Sequence, residues 1–172
     1  MNRLCAKVVL SFVCAAASMA ATAAPTVFTP ALQMVGEARL NVMFWSVYDS
    51  RLYTADGRYR ADQRPLRLEI EYLREIEAHV LVKQTGEEWD HLQVAHENRN
   101  GWMRQLIALW PDVRKNDVIA LEIDADNRST FFFNGEKLGV IEDRAFGEHF
   151  VAIWLSPNTS RPALREALLG SL

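Results

Sequence analysis

The sequence predicts an α+β domain in which an antiparallel sheet is covered on one face by helices. Leu66, Leu68, Ile70 and Tyr72 alternate with Arg67, Glu69 and Glu71, the period of a strand with one dry and one wet face. From Glu75 the period changes, and Ala78, Leu81, Val82, Thr85, Trp89 and Leu92 fall on one helical stripe. Further on, Asn134-Gly135 separates two apolar runs. That dipeptide is the strongest short hairpin signal, because both residues tolerate positive φ.

The remaining elements follow in order. Thr26 to Val35 is a weakly patterned lead-in that ends in a strand. Gly36–Leu40 and Phe44–Tyr53 read as strands, rich in Val, Phe, Trp and Tyr, and Asp56-Gly57 marks a turn. Gly86 interrupts the stripe of residues 75–92, which allows either one helix or two shorter ones. Asn98 or Asn100 caps a second helix with Trp102, Leu106, Leu109 and Trp110 on its stripe, and Pro111 stops it. Residues 117–124 return to strand with Ile119, Leu121 and Ile123 on one face, and Thr130–Phe133 and Leu138–Ile141 form the hairpin. Phe146, Phe150, Ile153 and Trp154 mark a third helix, ended by Pro157. Pro162 opens a fourth, suited to a first helical turn because its missing N–H is not needed there, and Gly170 is its C-terminal cap. Strands in two antiparallel groups with segregated helices make a layered α+β architecture, and the space between the layers is where a ligand would bind.

The first residues have the marks of a secretory signal. Arg3 and Lys7 precede an apolar segment from Val8 to Ala17, and Ala21-Thr22-Ala23 supplies the small-x-small pattern. The expected organisation is a signal peptide over residues 1–23, cleaved after Ala23, and a single domain over residues 24–172. This predicts export, to a bacterial periplasm. The apolar segment is too short for a membrane span, and no second run of membrane length follows it.

Both cysteines, Cys5 and Cys14, lie inside the predicted signal. The mature chain therefore has neither disulfide nor thiol nucleophile, and its stability must come from a hydrophobic core. It carries 17 basic and 22 acidic residues, a net charge of −5, which argues against nucleic acid as a partner. The histidines have no metal-ligand spacing: His91 and His96 are five apart, where a helical zinc pair wants four. No Gly-x-Ser-x-Gly elbow is present. No metal or cofactor is implied. Glu69, Glu71, Glu75 and Glu77 read as a solvated face and as charges at a helix start.

Taken together, a glycine-then-arginine strand (Gly36, Arg39), a Val47-Tyr48-x-x-x-Leu52-Tyr53 strand, the Asn134-Gly135 hairpin and a helix ending in Trp154-Leu155-Ser156-Pro157 resemble the bacterial branch of the chalcone isomerase-like family. The resemblance runs from about Gly36 to Gly170. It implies an open-faced β-sandwich with a ligand cleft between a large antiparallel sheet and a helical layer. The family includes cofactor-free isomerases and non-catalytic fatty-acid binders. Both share an arginine on an early strand, matched by Arg39, whose rigid guanidinium fork suits a carboxylate or phenolate. Tyr48 stands where the isomerases have a threonine. Their Tyr-x-x-Lys-x-x-x-Asn run corresponds to the stretch around Val80–Gln84, where Lys83 lies near the lysine position but the tyrosine is missing. The late Ser/Thr contact falls near Ile153-Trp154.

These departures favour a binding protein for a small anionic or amphipathic apolar ligand such as a fatty acid. Arg39 would hold the head, Tyr48 would add a hydrogen bond, and Phe44, Trp45 and parts of the helices from Trp89 to Trp110 would cover the tail. Two alternatives stand beside it: a cofactor-free isomerase with Arg39 stabilising an oxyanion, and a structural protein with a filled core. The assignment of Arg39 carries two conditions. Arg39 and Tyr48 are nine residues apart, so they reach one pocket only if the chain changes parity between them, near Asn41–Phe44. It also fails if Arg39 is exposed or is satisfied by a neighbouring carboxylate.

Overall fold

A computed structural model describes residues 31–170 of the chain. The predicted signal peptide and its cleavage position lie outside them. Ten elements follow one another as β1 (Gln33–Val42), β2 (Trp45–Thr54), β3 (Leu66–Tyr72), α1 (Ala78–His91), α2 (Arg99–Leu109), β4 (Val118–Ile123), β5 (Ser129–Phe133), β6 (Glu136–Ile141), α3 (Phe146–Leu155) and α4 (Pro162–Leu168). This is the order and type expected from the periodicities. The strands make one six-stranded sheet rather than two groups, in the order β1-β2-β3-β4-β5-β6, with every neighbouring pair antiparallel. The pair α1–α2 is inserted between β3 and β4, which still lie side by side.

The alternation in β3 is reproduced residue by residue. Leu66, Leu68, Ile70 and Tyr72 are buried under the helices, whereas Arg67, Glu69 and Glu71 point to the other face. Their cross-strand partners keep the sorting: Leu68 sits between Leu52 and Leu121, and Ile70 between Ser50 and Ile119. The outer face carries ion pairs instead of bare solvated acids. Arg51 reaches Glu71 at 2.9 Å, and Arg67 reaches Glu69 at 2.9 Å and Glu122 at 3.2 Å.

The helical layer stands on a cluster of aromatics. Trp89, Trp102, Phe131 and Phe146 are fully buried and meet edge-on, with ring centroids 5.7 to 6.3 Å apart. Edge-to-face contact is favourable because the positive ring edge meets the negative face of its neighbour. The indole N–H groups are satisfied as well: Trp89 donates to the His149 carbonyl at 2.9 Å and Trp102 to Asp143 at 2.9 Å.

Several boundaries differ from expectation for local reasons. Residues 75–77 are not helical, because Ile76 pairs with Val113 as an isolated bridge. Gly86 does not split α1. It is buried and faces α2, where a Cβ would lie 3.0 Å from the Met103 methyl, and its carbonyl accepts from Arg99 at 2.8 Å. Close helix packing thus explains a glycine that helix propensity alone disfavours. Phe44 belongs to a turn and not to a strand, so β1 and β2 form a hairpin whose tip is Met43-Phe44.

α4 closes one edge of the layer by packing on β1, with Leu164 and Leu168 buried. At Gly36 the approach is backbone to backbone: a Cβ there would meet the carbonyl oxygens of Ala167 and Leu168, the latter at 2.8 Å. Neither carbonyl can move aside without displacing α4. Gly36→Ala is therefore expected to destabilise the fold by about 2 kcal/mol or more, measured as a lowered denaturant midpoint at unchanged slope.

Candidate functional site

Between the inner face of the sheet and the helices lies a cavity of about 250 Å³. Leu40, Ile70, Tyr72 and Leu121 form its sheet wall, and Leu81 and Thr85 of α1 with Phe150 and Ile153 of α3 form its helical wall. Phe150 and Phe131 belong to both the aromatic cluster and the cavity wall, so the rigid part of the core is also the back of the cavity. Trp110 lines it too, and its indole N–H is buried without an acceptor among the described residues.

The polar groups at the cavity are few. Tyr48 comes from β2 and accepts a hydrogen bond from Trp154 Nε1 of α3 at 2.9 Å, which ties sheet to helix. Its ring stands edge-on to Tyr72 at 6.3 Å. Burial pushes the Tyr48 hydroxyl up to about 12 and moves Tyr72 upward as well, because the phenolate would lose its hydration. The remaining polar members are Thr85, whose hydroxyl donates to the Leu81 carbonyl at 3.0 Å, Gln84 and Glu88 of α1, and Ser160 and Arg161 after α3. Glu88 accepts from Ser160 Oγ at 2.7 Å and from Gln84 Nε2 at 3.2 Å.

Of the four residues proposed from sequence, only Tyr48 lines this cavity. Arg39 does not. It stands directly opposite Asp49 in the β1–β2 ladder, while Leu40 stands opposite Tyr48. Arg39 and Tyr48 therefore face opposite sides of the sheet. The hairpin does contain a register shift, between Leu40 and Asn41. It lies on the turn side of the Leu40–Tyr48 pair, so it leaves the relation of Arg39 to Tyr48 untouched. Instead it re-aims the residues nearer the tip, and Val42 and Val47 both reach the cavity wall.

On its own face Arg39 is satisfied. Its Nε donates to Asp49 Oδ1 at 2.6 Å and its Nη2 to Oδ2 at 2.8 Å, a bidentate pair on a side chain that is 55% exposed. The hydrogen bond from Arg39 holds the Asp49 carboxyl below its ordinary range. Both failing conditions set for Arg39 are thus met. Phe44 and Trp45 do not cover the cavity either: they are 94% and 66% exposed at the hairpin tip, where Arg74 lies over the Trp45 ring at 5.7 Å. The two-residue turn projects Phe44 away from the sheet, whereas Trp45 is the first residue of β2, paired with Val42 at the hairpin end. Lys83 points away as well, paired with Glu87 at 3.0 Å.

The residues missed by sequence had different signals. Gln84 and Glu88 are one turn apart on α1, and they flank the stripe of Leu81 and Thr85, so the helical period could have placed them at the rim. Arg161 had no such pattern. It sits in a connector, and only the packing of α3 and α4 brings it to the cavity.

An open antiparallel sheet with its helices on one face and an apolar cavity between the layers defines an α+β protein with an interlayer cleft. The chain belongs to the chalcone isomerase-like family, which it matches over residues 16–170. It is 29% identical over 138 residues to an uncharacterized protein of Haemophilus influenzae, covering 80% of this chain and 68% of the relative. Its structure is similar to the crystal structure of a fatty-acid binding protein of Arabidopsis thaliana, with a TM-score of 0.62 at 10% identity, covering 80% of this chain and 86% of the other. Likeness at that identity establishes the common fold.

The Tyr48 hydroxyl gives a direct check of the geometry. With its pKa raised in the fold, its contribution to stability is fully present below about pH 10, the ordinary tyrosine value, and is lost as the pH rises toward 12. In ultraviolet titration of the folded protein, Tyr48→Phe should remove an ionisation step near pH 12 and leave any earlier tyrosine steps in place. Loss of a step near pH 10 instead would show that the ring is exposed.

Proposed function

We propose that this protein is a non-catalytic binding protein for a small apolar or amphipathic ligand, held in the cavity between sheet and helices. The observation that carries this reading is the cavity itself: about 250 Å³, walled mostly by aliphatic and aromatic side chains, with Glu88 and Arg161 among its few polar groups and near enough to act on the Tyr48 hydroxyl. Such a distribution is what an apolar body with one polar end requires. A purely structural role accounts for it poorly. At about 24 cal/mol per Å³, an empty core void of this size would cost about 6 kcal/mol, which larger side chains would remove. The similar plant protein binds fatty acids, and a fatty acid or other carboxylated apolar molecule is the ligand class that the same fold suggests here.

The isomerase alternative loses its main support in the geometry. Its oxyanion stabiliser was Arg39, which is bound to Asp49 on the opposite face. Tyr48 is held protonated by burial, which suits a hydrogen-bond donor better than a base at neutral pH.

Export to the periplasm with removal of residues 1–23 belongs to the same proposal. It is supported by the charged start, the apolar segment and the Ala21-Thr22-Ala23 pattern. The mass of the protein recovered from a periplasmic fraction tests it: a chain beginning at Ala24 is expected, and retention of Met1 would refute cleavage.

Native mass spectrometry of the protein purified from cells should show a co-purifying apolar ligand. A medium-chain fatty acid added at a hundred times its dissociation constant should stabilise the fold by about 2.7 kcal/mol, read as a rise in melting temperature of roughly 5–10 °C. Leu81→Trp, which fills the cavity from α1, should abolish that shift while leaving the melting temperature of the ligand-free protein within a few degrees. No co-purifying ligand and no shift with any apolar compound would refute a binding role.

A further inference from the structure

We propose that the anion contact of this cavity is Arg161, in the connection from α3 to α4, and that the ligand is a singly charged carboxylate with a compact apolar body, a proposal that rests on the cavity being the ligand site. Arg161 lines the cavity and forms no ion pair among the described residues. The arginines on the strands are all engaged: Arg39 with Asp49, Arg51 with Glu71, and Arg67 with Glu69 and Glu122. Arg161 is exposed, so its guanidinium stands at the solvent edge of the cavity with no protein partner among the described residues, and unlike Arg39 it is open to a carboxylate, whose two oxygens match its fork.

The backbone beneath Arg161 is fixed while its side chain is not. Its N–H donates to Thr159 Oγ1 at 3.2 Å, and the buried Thr159 hydroxyl donates to the Ile153 carbonyl of α3 at 2.6 Å. The connector is thereby anchored to a helix whose next residue, Trp154, holds the Tyr48 hydroxyl. That hydroxyl accepts from Trp154 and donates to no acceptor among the described residues. Its O–H is available to a ligand, and it stays protonated because it is buried; the charges of Arg161 and Glu88 both reach it. One cation and one neutral donor thus face the polar end of an otherwise apolar space.

Glu88 sets the charge of the guest. Its two oxygens are taken by the uncharged donors Ser160 and Gln84, so it does not consume Arg161, yet it remains a carboxylate at the same mouth. A ligand with two negative charges would be repelled by it, whereas a single charge can turn to Arg161. The volume bounds the rest of the molecule. About 250 Å³ exceeds the ~150 Å³ cavity that accepts benzene and lies just below the range of drug-sized pockets, which starts near 300 Å³. An alkyl chain of medium length or a single aryl group fits this range better than a long chain folded on itself.

Titration calorimetry with the purified protein and three probes tests this: octanoate, methyl octanoate and octyl phosphate. Octanoate is expected to bind about tenfold more tightly than the other two, the scale of one charge-assisted hydrogen bond. Arg161→Gln should weaken octanoate about tenfold and leave methyl octanoate unchanged, and Arg161→Lys should recover part of the loss. Glu88→Gln should tighten octyl phosphate most, and Arg39→Gln should change none of the three. The assignment is overturned if Arg161→Gln binds octanoate like the wild type, or if Arg39→Gln loses as much as Arg161→Gln. Equal binding of ester and acid would leave the cavity as an apolar site and refute the anion contact. Failure of all three probes, with Leu81→Trp indistinguishable from wild type, would refute the cavity as a ligand site altogether.

Discussion

In the β1–β2 ladder Arg39 stands opposite Asp49, and the neighbouring pair is Leu40 with Tyr48. Side chains on a strand alternate between faces, so this one register decides which chemistry meets the cavity and which meets solvent. Leu40, Tyr48, Ser50 and Leu52 go inward with Ile70, Leu68 and their partners on β4. Arg39, Asp49 and Arg51 go outward into a lattice of ion pairs with Glu71. A slip of one residue would bury two arginines and expose the wall of the cavity, which is why the hydrophobic pattern holds the register so firmly.

The cavity depends on that register and on an uneven helical layer. Trp89, Trp102 and Phe146 fill the space completely at one end. Toward Tyr48 the layers are joined by a polar contact, Trp154 Nε1 to the Tyr48 hydroxyl. Rigid aromatics hold the layers apart, and a cavity remains between them beside Tyr48. The same contact places a buried, protonated hydroxyl next to the connector that carries Arg161. These two features, an interlayer space and a buried polar group beside it, are what the proposed binding role rests on.

Much of this fold was legible before any coordinates. The alternation of Leu66 to Tyr72, the stripe from Ala78 to Trp89, Asn134-Gly135 and Pro162 each state a local preference that tertiary structure left standing. Asn134 and Gly135 adopt the positive φ values expected of them, 50° and 86°. The boundaries that moved did so through long-range pairing: Ile76 was drawn to Val113, and Gly86 was kept in α1 because Met103 packs against it. Within the site, Tyr48 was found from its strand and from the family pattern. Arg39 was assigned on the same grounds, but its face is a matter of register with β2, and the carboxylate of Asp49 claims it. Phe44 reads as a strand residue because it is aromatic and β-prone, although Met43, at φ 55°, turns the chain just before it and leaves Trp45 to begin β2.

The sequence by itself determined the element order, the faces of β3 and β4, the family, and the absence of cysteine beyond Cys14, because these depend on local period and on composition. The tertiary structure decided the rest. It showed that the strands form one continuous sheet, that a cavity remains between the layers, and that the arginine beside it is Arg161 and not Arg39. The physical reason is distance along the chain. Tyr48, Glu88 and Arg161 come from a strand, a helix and a connector far apart in sequence, and no local propensity specifies that they meet. Only the packing of α1 and α3 on the sheet, fixed by the aromatic cluster beneath them, brings the three to one place.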